Sequence, residues 1–427
     1  MKINLVKSIA AVAALTTMVQ APAMAHDPSE EGYFFRERNA SVMGRTRPEY
    51  KSEGVQTGAW IWDPELVLGV DWDDNIFAAS TNEVSDTIWI VQPSVNVETT
   101  WSRHGIEAYA IGENREYSDT GSESSWTHAY GASGHVDVTR KFLVRGGLDF
   151  ASLVESRRNA GAASFAAEPV EYSTDAWFFG AEADLGRIRL IGRMDVADYD
   201  FKDAPLTGGG FADQDFRDRE ETIYTVRGDY ALSPDTSVFL RYRWNDREYD
   251  LKPPAVATLR DSDGFMIDAG FDFDLGGTAR GIVGVGYNEQ TYDDPSFGKL
   301  EGWGMDAALE WYVTQLTTVT VSGARFIEDS PIAASGGFTS QAIGLRVDHE
   351  LRRNVILSAG TEFANNDFLG IDREDDRWTH FAAATWLVNP NVGVEASFTM
   401  IDQDSSGLLG TQDFEENIFG VRLVLRP

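Results

Sequence analysis

The sequence predicts an all-β fold: a transmembrane, antiparallel, up-and-down β-barrel of about eighteen strands, with sixteen as the alternative count. Three observations predict it. From Glu65 onward, segments of about ten to fifteen residues alternate apolar and polar positions, with turn residues between them. The connections alternate between short turns and longer polar stretches. Beyond its N-terminus, the chain of 427 residues has no apolar run of the ~20 residues that a membrane helix needs.

The alternation is clearest in the second half. Phe265, Ile267, Ala269, Phe271, Phe273 and Leu275 are apolar, and Asp268, Asp272 and Asp274 lie between them. Trp303, Met305, Ala307, Leu309 and Trp311 run against Asp306 and Glu310. Ile343, Leu345 and Val347 run against Arg346 and Asp348, and the last segment reads Phe419, Val421, Leu423, Leu425. Side chains alternate across a strand, so each segment has one apolar and one polar face. Segments start near Glu65, Thr87, Gly105, Trp126, Phe142, Ser173, Arg187, Glu221, Thr236, Gly264, Ala279, Gly302, Thr317, Thr339, Asn354, Arg377, Asn391 and Glu416. Soluble sandwiches and propellers use shorter strands, of about five or six residues. No repeat at a fixed period suggests a propeller.

Short connections include Thr139-Arg140-Lys141, Leu185-Gly186-Arg187, Ser233-Pro234-Asp235, Leu275-Gly276-Gly277, Leu351-Arg352-Arg353 and Asn389-Pro390-Asn391. Long ones include Arg157 to Glu171, Lys202 to Arg217, Leu251 to Asp261 and Gln403 to Glu415. Short periplasmic turns facing long extracellular loops mark an outer-membrane barrel. Arg157 to Glu171 and Lys202 to Arg217 are therefore expected at the cell surface. With eighteen strands, both termini are expected in the periplasm.

The N-terminus reads as a secretory signal. Lys2 and Lys7 are its positive region, and an apolar stretch runs from Ile9 to Val19. Ala23-Met24-Ala25 is a small-x-small cleavage site, so export removes residues 1–25 by cutting between Ala25 and His26. Residues 26–59 are polar and rich in Glu and Arg, and they read as a flexible periplasmic lead-in to a barrel over 60–427. This lead-in is too short for the plug domain of a gated transporter.

The formal charge is −32, with 68 Asp and Glu against 36 Lys and Arg. Nucleic acid is excluded as a partner, because phosphate backbones need a basic surface. The acidity suits either plain solubility or loops that share divalent cations with anionic headgroups. Outer-membrane lipid, lipopolysaccharide and the barrel-insertion machinery are the expected partners. There is no cysteine, so the fold closes without disulfides or thiolate metal sites.

Catalytic and cofactor motifs are not found. There is no Gly-x-Ser-x-Gly elbow, phosphate loop or dinucleotide motif, and the six His are scattered. No metal, cofactor or catalytic residue is assigned. The cluster Asp71, Asp73, Asp74 and Asn75 offers oxygen ligands for Ca²⁺, but it lacks the glycine and distal Glu of a calcium loop and better suits a strand end entering a turn. Charges on polar faces avoid hydrocarbon, where Lys or Arg costs about 2–4 kcal/mol at mid-membrane. Arg241, Arg243, Asp272, Asp274, Asp306, Glu310, Arg346 and Asp348 are therefore expected to face the lumen, either bracing the wall or lining a conduction path. If that lumen is wet, neutralising Asp272 should barely affect folding.

Several local motifs, taken together and in order, carry a resemblance. Asp73-Asp74-Asn75-Ile76-Phe77 follows Leu68-Gly69-Val70-Asp71-Trp72. Trp101-Ser102-Arg103-His104 makes a short turn, and Tyr292-Asp293-Asp294-Pro295 precedes Phe297-Gly298. Leu316-Thr317-Thr318-Val319-Thr320 opens one segment, and Val347-Asp348-His349-Glu350-Leu351 closes its neighbour. This set resembles the putative β-barrel porin 2 family, from roughly Arg47 to the C-terminus. The resemblance implies a barrel of about eighteen strands in the cell outer membrane. It also implies export of an exopolysaccharide or capsule polymer, with a periplasmic polysaccharide export protein as a further partner. A diffusion porin for small solutes is the alternative, and a barrel hydrolase or deacylase is the second. One departure is the C-terminus, Leu425-Arg426-Pro427, where barrels often end in an aromatic residue.

Overall fold

The computed structural model describes residues 40–160, 166–253, 259–410 and 412–426. The expected signal peptide, its Ala25–His26 cleavage site and the first part of the lead-in lie outside the described residues. The strands are β1 (Val55–Thr57), β2 (Trp60–Asp73), β3 (Asp86–Thr99), β4 (Gly105–Tyr117), β5 (Ser125–Thr139), β6 (Phe142–Val154) and β7 (Glu171–Asp184). Next come β8 (Ile188–Phe201), β9 (Ala204–Pro205), β10 (Phe211–Ala212), β11 (Arg219–Ser233), β12 (Thr236–Tyr249), β13 (Ser262–Asp274) and β14 (Ala279–Tyr292). The last are β15 (Lys299–Thr314), β16 (Thr317–Asp329), β17 (Gly337–Arg352), β18 (Val355–Phe368), β19 (Glu374–Asn389), β20 (Val392–Ser406) and β21 (Phe414–Leu425).

Each long strand pairs antiparallel with its neighbours in the chain, and β2 pairs with β21 from Leu66↔Leu425 to Asp73↔Ile418. That pairing closes the sheet. β8 pairs directly with β11, and the small β9–β10 hairpin stands in the loop between them. β1 is a three-residue addition at the start of β2, so the closed wall has 18 strands. Gly105, Phe142, Thr236, Ala279 and Thr317 begin strands where the alternation places them. The first barrel strand starts earlier than predicted, at Trp60 rather than Glu65. Pro64 hid the extension, since proline lacks a ladder donor. It is tolerated because it faces β3 only. β1 pairs no further than Trp62, and β21 begins pairing at Leu66.

The two faces differ as the alternation requires. One carries exposed Trp89, Phe179, Val226, Leu240, Phe271 and Phe419. Near the long-loop end it carries an aromatic row: Tyr224 stacks on Trp244, and Tyr242, Phe265 and Tyr287 follow in contact across β12, β13 and β14. Aromatic rows of this kind sit at the membrane–water boundary. The opposite face is the interior. Arg247 on β12 bridges Asp329 at the end of β16, with β13, β14 and β15 between them, and only the inside of a closed sheet permits such a contact.

This bridge also shows that the barrel is not round. Four strand intervals measure roughly 20 Å along the wall. An arginine and an aspartate reach far less, so the wall from β11 to β16 is drawn inward. Its inner surface is packed. Phe239 and Ile282 are 4% and 5% exposed. Gly284 provides the room: a Cβ there would lie 2.8 Å from the Asp268 carboxylate and 3.2 Å from the Phe239 ring.

Candidate pore lining and constriction

The inner wall of β11–β15 is a lattice of buried ion pairs. Arg227 donates to Asp229 at 2.7 Å, stacks on Phe239 and lies 3.6 Å from Asp272. Asp272 also accepts a 2.5 Å hydrogen bond from the Ser237 hydroxyl. Arg241 pairs with Asp268 at 3.0 Å and with Asp306 at 3.2 Å. Arg227, Arg241, Asp268 and Asp272 are each 1% exposed. The lattice follows from register: Arg227 stands opposite Arg241, and Arg241 opposite Asp268, so like charges on one pair of strands are relieved by the next.

All eight sequence-derived lumen residues lie on interior positions of their strands, but they differ in burial. Asp272, Asp274, Arg241 and Asp348 are buried, and the first, third and fourth are committed to named partners. Arg243 donates to the Met266 sulfur. Asp306, Glu310 and Arg346 are more open, with side chains 37%, 24% and 38% exposed. Arg346 forks onto Asp348, which also accepts from Ser358. The expectation that Asp272 meets water is therefore corrected. The wall bends inward there and excludes it.

The expectation of a surface loop from Arg157 to Glu171 is also corrected, at its start. After β6 the chain turns into the barrel. Arg158 forks onto Glu416 of β21 with two 2.5 Å contacts and lies 3.9 Å from Asp73 of β2. Its carbonyl accepts from Arg377 of β19 at 2.8 Å. Gln412 donates to the carbonyls of Arg157 and Asn159. Arg157 pairs with Glu123 at 2.6 Å, and Glu155 takes a fork from Arg217 at 2.7 and 2.9 Å. β6 and β21 have β5, β4, β3 and β2 between them, so these residues form an arch across one side of the lumen. Masses of small residues after Arg158 concealed it: the stretch reads as an ordinary loop. The available signal was two adjacent arginines in a strongly acidic chain, which call for buried carboxylates.

A second segment enters from the short-turn end. Residues 40–50 do not behave as a free lead-in: Val42 is 0% exposed, and its N–H donates to Thr318 on the inner face of β16. Arg45 and Arg47 both reach Glu350 of β17, at 3.0 and 2.9 Å. Burial pushes the Arg47 guanidinium below its ordinary value, against the pull of Glu350.

Elsewhere the inner wall is open and acidic. Tyr109, 37% exposed, donates to Asp149, and Ser133 donates to Glu107. The acidic cluster at Asp71, Asp73, Asp74 and Asn75 is filled by protein. Asp71 takes a fork from Arg422 at 2.6 and 2.7 Å, Asp74 accepts from Asn417, and Asn75 bonds the carbonyls of Ala79 and Glu415. On the outer loops, Asp203, Asp213 and Asp215 bring carboxylates within 4.8 Å of one another, largely exposed. His128 stacks on Tyr130 and His380 on Trp378 on the outer face, while His349 bonds Thr317. These histidines face away from the lumen.

The loop between β8 and β11 titrates. Burial raises the Asp218 carboxyl to about 6, its bond from the Phe201 N–H opposes this, and Asp200, Asp215 and Asp250 raise it further. The folded loop thus holds this proton more tightly than the unfolded chain. Order in the loop should increase as pH falls from above 6 toward the ordinary carboxylate range, and decrease on return. Protease nicking of residues 203–213 is expected to be faster above pH 6 than below it. Asp218→Asn should remove most of that difference, and an unchanged pH dependence would refute the assignment.

A family model described as "Putative beta-barrel porin 2" matches residues 47–427. No curated protein sequence matches. Among solved structures, a BenF-like porin from Pseudomonas fluorescens Pf-5 is similar at 12% identity and a TM-score of 0.46, covering 86% of this chain and 99% of that one. The outer membrane protein opdK from Pseudomonas aeruginosa is similar at 11% identity and a TM-score of 0.46, covering 86% and 99%. OccK2 (OpdF) from the same organism, solved with glucuronate, is similar at 10% identity and a TM-score of 0.47, covering 86% and 98%. None of these distant likenesses bears on what passes through the present barrel. The match across the whole wall, on a closed antiparallel barrel with a polar interior, is decisive for the family: the chain belongs to the putative β-barrel porin 2 family of outer-membrane porins.

Proposed function

We propose that the protein is a pore of the Gram-negative outer membrane for small polar solutes, with a preference for cations. The arch of residues 155–160 carries this reading. It is fixed by ion pairs to the β4–β5 loop, the β8–β11 loop and β21, and by a hydrogen bond from β19, so it narrows the passage without a hinge of its own. A narrowed lumen suits small solutes better than an extended polysaccharide, whose case rests on the resemblance alone. The cation preference rests on charge. Lumen Arg227, Arg241 and Arg346 are paired with carboxylates, whereas Glu107 and Asp149 accept from the uncharged Ser133 and Tyr109 hydroxyls, which leave their charge facing the channel. A wall of one sign sets the field that a passing ion meets.

Planar-bilayer recordings in a KCl gradient should give a reversal potential of the cation-selective sign. Liposome swelling should pass monosaccharides and exclude long oligosaccharides. Arg158→Ala should unpin the arch from Glu416, raising single-channel conductance and strengthening cation selectivity, because a positive charge leaves and a carboxylate is freed. Anion selectivity in the parent protein, or ready passage of a polysaccharide, would overturn the reading.

A further inference from the structure

The barrel has a second narrowing, built from the chain ahead of its first strand. Residues 40–50 lie against the inner face of β16 and β17 at the short-turn end. The short helical turn Pro48–Tyr50 then carries the chain past β19, and β1 joins the edge of β2. The segment therefore passes from β16 to β2 across the periplasmic mouth, with β17, β18, β19, β20 and β21 between.

Two of the side chains that hold it converge on one carboxylate. Glu350 is 5% exposed and receives both Arg45 and Arg47. Arg47 also donates to the Val42 carbonyl at 2.9 Å, which folds the segment over its own buried valine. Arg45 reaches the Gln315 carbonyl in the β15–β16 turn, and at the rim Arg353 pairs with Glu49, both exposed. An exposed pair of that kind contributes little. Glu350 differs, since without it the buried Arg47 guanidinium and its half-open neighbour Arg45 would lose the carboxylate they share. Like charges held together in poor solvent repel, so the segment would leave the wall.

We infer that residues 40–50 form a periplasmic strap, that Glu350 pins it through Arg45 and Arg47, and that the pinned strap limits flux through the pore. The inference rests on the small-solute reading, and it places a conductance-setting residue at the end opposite the arch. The strap adds two cationic groups to an otherwise acidic passage, so it also tempers cation selectivity from the periplasmic side.

The test uses Glu350→Gln in the full-length exported protein, with heat-modifiable gel mobility to show that the barrel has folded. Single-channel conductance is expected to rise about 1.5-fold or more, since conductance follows the narrowest section. The chain has no cysteine, so Val42→Cys makes a single reporter. A water-soluble maleimide should label it slowly with Glu350 present and at least about tenfold faster with Glu350→Gln, as local opening sets access. Arg45→Ala with Arg47→Ala should reproduce both effects without altering any barrel strand. Folded variants with parental conductance and parental labelling would overturn the strap as a constriction. Failure of both variants to fold would assign the segment to barrel assembly and overturn it as well. If the parent protein forms no channel at all, the small-solute reading itself fails, which is a different result.

Discussion

Arg241→Met is expected to destabilise the barrel by about 3–5 kcal/mol, the usual cost of stranding a buried charge. Arg241 and Asp268 have side chains 1% and 0% exposed, and Nε donates to the carboxylate at 3.0 Å. Methionine fills much of the volume but leaves Asp268 without a counter-charge in a wall that excludes water. The second contact of Arg241, to the half-open Asp306, is the weaker one, because water can replace it there. Replacing both partners, as Arg241→Met with Asp268→Leu, should recover most of the loss. A matched apolar pair costs far less than a single buried charge. Arg280→Met supplies the contrast, since Arg280 and Glu310 are 28% and 24% exposed and their pair should be worth roughly 1 kcal/mol or less. Urea unfolding in lipid, read by gel mobility, separates these outcomes. If Arg241→Met costs no more than Arg280→Met, the inner wall is hydrated and the bent-wall description is wrong.

Strand positions were legible because period-two alternation is a local property, and each strand of a membrane barrel must satisfy it on its own. The turns were legible for the same reason: Ser233-Pro234-Asp235 and Asn389-Pro390-Asn391 punctuate the pattern in sequence. The orientation of Asp272 was also legible, since neighbours along one strand fix its face. Its burial was not. That depends on Arg227 and Ser237, which lie on β11 and β12, and on a bend that brings β12 to β16. The arch and the strap were hidden by the same limit. Arg158 finds Glu416 across 258 residues, and Arg47 finds Glu350 across 303. No pattern in either local stretch encodes its partner. The hint was compositional: paired arginines in a chain with an excess of carboxylates would be claimed from the inside.

The two faces make the other large expectation. Leu240 is 57% exposed on the outer face of β12, opposite Gly228 and Ala269 and on the short-turn side of the aromatic row. Leu240→Arg should cost about 2–4 kcal/mol if it lies at mid-membrane, because hydrocarbon offers the guanidinium neither water nor a counter-ion. Phe271, also on the outer face and 44% exposed, lies nearer the short-turn rim and stacks on Phe273. Phe271→Arg should fall toward the lower end, about 2 kcal/mol, since a long side chain there can reach the interface. Asp272→Asn, next door but inward, should also cost about 1–3 kcal/mol, because Arg227 loses part of its counter-charge in a dry site. The informative comparison is therefore with an open interior residue. Glu310→Gln, at a side chain 24% exposed to the lumen, should cost roughly 1 kcal/mol or less. All four are measured in lipid vesicles and again in detergent, where a loose micelle lets water reach an outward arginine. The penalties of Leu240→Arg and Phe271→Arg should shrink in detergent. That of Asp272→Asn should not, because its surroundings are protein in both cases. If Leu240→Arg folds in lipid as readily as Glu310→Gln, the faces have been assigned the wrong way round. If the outward and inward penalties respond alike to detergent, hydrocarbon is not what the outer face meets.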